Sequence, residues 1–230
     1  MNYLYLLLDV LSLSVPFLVS FHPRIRLDKK WAALFSAIFI AMIPYIIWDV
    51  YFTINGYWGF NPTYLTGLSI FHLPIEEWLF FICIPYACVF THESILAINP
   101  KIRLGDQTSK WITILLLLIF ALVLLLNWDK AYTLVDMIFG IVILLLAWKV
   151  QPQLLPSFYI TFLFMLIPFF IVNGVLTGTG IEGNIVWYND DQNLGIRLGT
   201  IPVEDTVYAF SLILLNLVLF KEFSKKLKRV

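Results

Sequence analysis

Seven apolar stretches, each close to the length a helix needs to cross a bilayer, constrain this chain more than any other feature. They run over residues 3–21, 31–52, 75–93, 111–127, 131–149, 157–177 and 203–221. A membrane-crossing helix takes about 20 mostly apolar residues. The fourth stretch is the shortest. With 60% of the 230 residues hydrophobic and 13% charged, no soluble domain of ordinary size is left over. An ordinary cytosolic globule, a disordered chain and a nucleic-acid binder are excluded. The expected fold class is all-α integral membrane with seven transmembrane helices. The first stretch reads as a retained helix rather than a cleaved signal. It carries Asp9, lacks a basic start, and is followed by Arg24, Arg26, Lys29 and Lys30. Cys83 and Cys88 lie on different faces of one stretch, outside any CxxC pattern, and read as inert core residues.

The basic residues alternate from loop to loop. Arg24, Arg26, Lys29, Lys30, Lys101, Arg103, Lys110, Lys149, Lys221, Lys225, Lys226, Lys228 and Arg229 fall on one side, and only Lys130 and Arg197 on the other. The positive-inside rule makes the first side cytoplasmic. The N-terminus is then outside and the C-terminus inside, which requires an odd number of spans. His22 and His92 fall near the cytoplasmic face and are expected at the surface.

Much of the chain reads as one unit written twice. Pro74-Ile75-Glu76-Glu77 matches Pro202-Val203-Glu204-Asp205 at a shift of 128, and Asn61 and Gly67 match Asn189 and Gly195 at the same shift. Upstream, Ile43-Pro44 matches Ile167-Pro168 with Asp49 opposite Asn173, and Tyr5 and Asp9 match Tyr132 and Asp136. The expected units are residues 1–94, a first three-helix repeat, and 131–230, a second repeat with a basic tail. Residues 95–130 form a linker with an extra helix. Three spans invert the chain, so the extra span restores its direction. The repeats should be parallel, about a pseudo-two-fold axis along the membrane normal, with the functional site at their interface.

Asp9, Asp49, Glu76, Glu77, Asp136, Glu204 and Asp205 all map to the outer half of the spans, without a basic neighbour in sequence. An ionisable group at mid-membrane costs roughly 2.5–3.5 kcal/mol and marks function by default. Crowded, desolvated acids hold protons near neutral pH and are ready to donate them. Against this, Pro74 and Pro202 start helices whose positive dipole ends favour ionised acids. Adjacent acids point about 100° apart, so one of each pair faces the interface. One acid should donate protons and its neighbour balance it; the pattern leaves open which. Trp48, Trp78 and Tyr208 lie close to the acids and are candidates for a wall that stabilises a cation. Trp58, Tyr57, Phe60, Tyr64, Trp187 and Tyr188 read as an interfacial belt. His72 could relay protons, but Thr200 replaces it in the second unit. No dinucleotide, flavin or phosphate-loop motif, no seventh-helix lysine and no aspartate-rich diphosphate motif is present.

The doubled Pro-Ile-Glu-Glu and Pro-Val-Glu-Asp motifs, with Phe60-Asn61-Pro62 before the first, resemble the membrane-integral, non-flavin lycopene cyclases in their fused form. The likeness extends over essentially the whole chain. It implies a polyene substrate dissolved in the membrane lipid. A proton is added to a terminal double bond, the next double bond attacks the tertiary cation to close a ring, and loss of a ring proton gives a β-ionone end. No atoms are gained or lost, so no cofactor and no metal is implied. The resemblance implies acid–base work for Glu76 and Glu204, with Glu77 and Asp205 as partners, Asp9, Asp49 and Asp136 in support, and Asn61 on the substrate. Asp205 for Glu77 and Asn173 for Asp49 make the halves unequal. A related carotenoid hydratase or C50-carotenoid cyclase is one alternative, separable by product mass. A proton-coupled transporter is another and would need polar groups along a whole transmembrane path. The oligomeric state is left open.

Overall fold

The computed structural model describes residues 3–227, so Lys228 and Arg229 of the basic tail lie outside the described residues. Seven helices carry the fold: α1 (Leu4–Val19), α2 (Trp31–Ile54), α3 (Ile75–Ile98), α4 (Asp106–Leu126), α5 (Ala131–Val150), α6 (Leu155–Leu176) and α7 (Glu204–Leu227). Six are long and apolar enough to span a membrane, and the shorter apolar helix is α1. The fourth helix is therefore not the shortest, although its apolar stretch is. α4 starts five residues ahead of its apolar run, at Asp106, and has 21 residues, whereas α1 has 16. At 1.5 Å per residue α1 reaches about 24 Å, against a hydrocarbon core of about 30 Å. It stops early because Ser20 turns the chain. Its hydroxyl bonds back to the Pro16 carbonyl at 2.7 Å and meets the Tyr86 hydroxyl at 2.7 Å.

The helices alternate in direction, so α1, α3, α5 and α7 begin at one end of the bundle. The basic loops gather at the other. α1 packs along α3 and α5 along α7, the same pairing in each unit. α2 and α6 cross to the opposite unit, α2 onto α7 and α6 onto α3, and Pro44 and Pro168 fall at equivalent points inside them. α4 packs mainly on α5 and presents Leu115, Leu118, Leu122, Leu125 and Leu126 outward, as a lipid-facing helix does.

Two loops close the end where α3 and α7 start. The strands β1 (Trp58–Phe60) and β4 (Val186–Tyr188), one from each loop, pair antiparallel with Gly59 opposite Trp187. The ladder continues symmetrically, with Asn61 N donating to Ile185 O at 2.8 Å and Asn189 N to Tyr57 O at 2.9 Å. The pseudo-two-fold axis thus passes through the Gly59–Trp187 pair. A Cβ at Gly59 would stand 2.4 Å from the Trp187 ring, so glycine lets that ring lie across the axis. Each loop ends in a hairpin leading into its helix. The first joins β2 (Ser69–Ile70) to β3 (Leu73–Pro74), the second β5 (Arg197–Leu198) to β6 (Ile201–Pro202). Gly67 and Gly195, at φ +87° and +67°, supply the same left-handed bend before each hairpin.

At the basic end Glu93 is buried between Lys30 Nζ at 2.6 Å and Lys221 Nζ at 2.5 Å. This ties α3 to α7 and to the turn before α2. His92 is not at the surface as expected. It is fully buried, with Nδ1 2.8 Å from the Thr161 hydroxyl of α6. Helix position explains the difference, since α3 runs on to Ile98 and the turn containing His92 faces α6. His22 is exposed, and Cys83 is buried while Cys88 is half-buried.

Candidate active site

The paired acids of each motif divide their tasks by the angle between them. Glu76 and Glu204 turn back to their own loops. Glu76 Oε1 accepts from Thr66 N at 2.6 Å, and Glu204 Oε1 from Leu194 N at 2.7 Å, at the same shift of 128. The Thr133 hydroxyl also donates to Glu204, at 2.7 Å. These carboxyls pin the loop ahead of each hairpin to the first turn of its helix.

Glu77 and Asp205 face the other way, into a chamber between the units. Tyr5 donates to Glu77 Oε2 and Tyr132 to Asp205 Oδ1, each at 2.5 Å. The chamber encloses about 60 Å3 and is lined by acids, aromatic rings and a few apolar side chains. Asp49 and Asn173, equivalent residues of α2 and α6, reach it from opposite sides. There the symmetry breaks. Asp49 shares the chamber wall with Glu77, so two carboxyls face one hollow, and Asp49 Oδ1 accepts from Trp58 Nε1 at 2.7 Å. Asn173 instead donates to Asp205 Oδ2 at 2.8 Å, and Tyr188 donates to the same oxygen at 3.0 Å. Burial first, and then the neighbouring Asp205 carboxylate, pushes the Tyr188 phenol well above its usual range, so it stays a donor. Trp58, Tyr132, Tyr188 and Tyr208 set ring faces around the acids, with Trp58 and Tyr132 edge to face at 5.1 Å.

Behind the chamber, Asp9 lies close enough to Glu77 and Glu76 to feel their charges, and Asp136 holds the same place beside Asp205 and Glu204. Asp136 is fully buried with no hydrogen-bond partner on either oxygen among the described residues, and one oxygen each of Asp9, Asp49, Glu76 and Glu204 is likewise buried without one among them. Among the described residues no lysine or arginine pairs with any of these seven acids. Arg197, the one cation in the second long loop, turns to Asp190 and to the Thr200 carbonyl.

A family model described as lycopene cyclase matches residues 2–95 and 129–223, the two stretches that flank α4. The chain belongs to the lycopene cyclase family. No curated protein and no solved structure matches it. Membership of that family implies a polyene substrate and a membrane environment.

Of the residues singled out from sequence, Glu77, Asp205, Asp49 and Tyr208 line the chamber. Glu76, Glu204, Asp9 and Asp136 stand behind its wall. Trp48 is one layer back, its ring 5.0 Å from Tyr208 and 4.7 Å from Phe139. Trp78, in the first turn of α3, turns to the first hairpin, where its indole donates to Ile70 O at 3.2 Å. Asn61 works in the loop, accepting from Thr63 N and donating to Asn184 O, both at 3.0 Å. His72 is exposed on the hairpin turn and does not line the chamber. Sequence reasoning missed Tyr5, Tyr132, Trp58 and Tyr188 as site residues. The repeat itself held the signal for the first two, since Tyr5 and Tyr132 recur beside Asp9 and Asp136. Trp58 and Tyr188 are cross-strand partners that resemble a membrane belt until the β1–β4 pairing folds them inward.

Proposed function

We propose that the chain is a lycopene β-cyclase. It closes the ψ-end groups of lycopene to β-ionone rings, giving γ- and then β-carotene, by acid–base chemistry without a cofactor. The observation that carries this reading is the inequality of Glu77 and Asp205. Asp205 accepts from three donors, Tyr132, Asn173 and Tyr188. Three donors suit an ionised carboxylate. Glu77 has one donor and a second carboxyl, Asp49, against it. Two carboxyls facing one buried hollow do not both ionise, so this pair keeps a proton between them. The Asp49–Glu77 pair is therefore the acid that protonates the terminal double bond, and Asp205 is the base that takes the ring proton. The surrounding rings of Trp58, Tyr132, Tyr188 and Tyr208 lower the energy of the intermediate cation. Tyr5 and Tyr132 are positioning residues, each fixing the carboxyl it donates to.

The proton count balances. Each ring closed moves one proton from the acid pair to Asp205, and that proton returns before the next ring. The chamber end of the bundle is extracytoplasmic on this reading, because the basic loops mark the other end as cytoplasmic.

Expression in cells that accumulate lycopene tests the proposal. Cyclic product of unchanged mass supports it. Unmodified lycopene beside folded membrane protein would refute it. A product heavier by one water would make the protein a hydratase, and ring closure only when an elongated C50 carotenoid is supplied would make it a C50-carotenoid cyclase.

A further inference from the structure

A second, larger hollow adjoins the chamber. A cleft of about 470 Å3 lies between α1, α3, α6 and α7, and Phe80, Asn173, Leu176 and Tyr208 belong to both walls. Its lining is otherwise mostly hydrocarbon. Its mouth is on the outer surface of the bundle, where Leu11 and Val15 of α1 and Ile171 of α6 are 58%, 63% and 65% exposed. Toward the basic end, α3 and α6 are joined by the His92–Thr161 hydrogen bond. The cleft thus faces lipid at its side and the acids at its inner end.

The repeat predicts a mate for this cleft between α5, α7, α2 and α3, and that space is filled. Ser12, Val172 and Ala209 line the open cleft. Their equivalents are Phe139, Trp48 and Phe81, aromatic residues in place of small ones. Trp48 and Phe139 pack with tilted rings at 4.7 Å, and Tyr45 packs 5.1 Å from Phe139 and 6.3 Å from Phe81. The Tyr45 and Ser211 hydroxyls, 2.8 Å apart, lock α2 to α7 across the filled space. Nearer the basic end the size difference reverses on α6, where Phe162 and Met165 stand opposite Ile38 and Ala41, but not on α3, where Ala87 and Thr91 of the cleft stand opposite Leu215 and Leu219.

We propose that this cleft is the binding groove for the polyene chain, that substrate enters it sideways from the lipid between α1 and α6, and that its aromatic-filled mate leaves the protein with one such groove. The inference rests on the cyclase reading for the identity of the guest. An extended hydrocarbon needs a long apolar wall and few polar groups, and the cleft supplies that wall directly beside the acids. Ring closure then takes place where cleft and chamber meet, at Asn173 and Tyr208. A substrate with two reactive ends must leave and re-enter reversed for the second ring.

Refilling the groove tests this. Wild-type protein purified in detergent from lycopene-accumulating cells should retain about one polyene per chain, read by visible absorbance. Ser12→Phe, Val172→Trp and Ala209→Phe should each lose that pigment and cut cyclised product by about tenfold or more, with membrane level and elution unchanged. Leu18→Phe, on the outer face of α1, should retain both. Should the aromatic variants not accumulate, the series Ser12→Ala, Ser12→Val and Ser12→Leu gives the same answer. Product falling with side-chain volume supports the groove, and a flat series overturns it. Wild type without bound polyene, or folded aromatic variants with full pigment and product, would also overturn it. Wild type that binds polyene, loses it on refilling, and never cyclises it would leave the groove standing and remove the cyclase reading.

Discussion

Asn173 donates its amide hydrogen to Asp205 Oδ2 across 2.8 Å, at the place where the first half of the chain sets Asp49 against Glu77. One position in the repeat thus decides whether a carboxylate faces a donor or another acid. Asp49→Asn makes the first half resemble the second and removes the shared proton. Cyclisation should fall by about 10²-fold or more with the membrane level unchanged. Asn173→Asp sets a second acid against the base and should slow the reaction by a similar factor. Initial rates in isolated membranes decide the matter. Wild-type rates for Asp49→Asn would remove the paired acid from the mechanism.

Glu76 and Glu204 hold loops rather than face the chamber. Glutamine keeps an oxygen that can accept from Thr66 N or Leu194 N, so Glu76→Gln and Glu204→Gln should retain most turnover. Alanine leaves a part-buried backbone N–H unpaired, at the lower end of the about 1–3 kcal/mol that a fully buried one costs. Thermal unfolding in detergent should show Glu76→Ala and Glu204→Ala melting earlier than their glutamine counterparts. Loss of turnover in Glu76→Gln, with unfolding unchanged, would mean that this carboxyl takes part in proton transfer.

The basic end supplies a stability prediction independent of the chemistry. Glu93 is 9% exposed and holds Lys30 and Lys221, whose side chains are 39% and 30% exposed. Removing one partner of a buried pair costs about 3–5 kcal/mol, but the partly solvated lysines reduce that here. Glu93→Gln should lower stability by about 1–2 kcal/mol, seen as a lower melting temperature, and leave turnover intact where the protein is folded. An unchanged melting temperature would show that the two lysines contribute nothing to holding α3 on α7.

The first hairpin turns on two non-glycine residues in left-handed backbone, Phe71 at φ +51° and His72 at φ +67°. Its equivalent turns on Gly199, also at φ +67°. A side chain in that conformation costs about 1–2 kcal/mol, so Phe71→Gly should raise stability by about 1 kcal/mol. His72→Ala should leave turnover unchanged. Loss of turnover in a folded His72→Ala protein would return the histidine to the site.

Helix content, parallel repeats and the acidic motifs are legible in the sequence because apolar length and polar recurrence survive without coordinates. Which acid of each pair faces the chamber is not. Glu76 and Glu77 differ by one helix step, and the loop amide at Thr66 that claims Glu76 is ten residues upstream. Trp58 and Tyr188 are hidden for a similar reason, since only the pairing of two distant loops distinguishes them from belt residues. The open cleft depends on three substitutions between the repeats, Ser12 for Phe139, Val172 for Trp48 and Ala209 for Phe81. These stay uninformative until both sets are seen facing equivalent spaces. His92 shows the opposite failure, since a position near a helix end says little about which neighbour covers it.

In the proposed reaction Glu77 delivers the proton and Asp205 removes it. Carotenoid chromatography of lycopene-accumulating cells that express wild type, Glu77→Gln or Asp205→Asn, with membrane protein quantified in each, tests this directly. Cyclic product is expected from wild type alone, with all three proteins inserted at equal levels. Cyclic product at wild-type yield from both variants would contradict it.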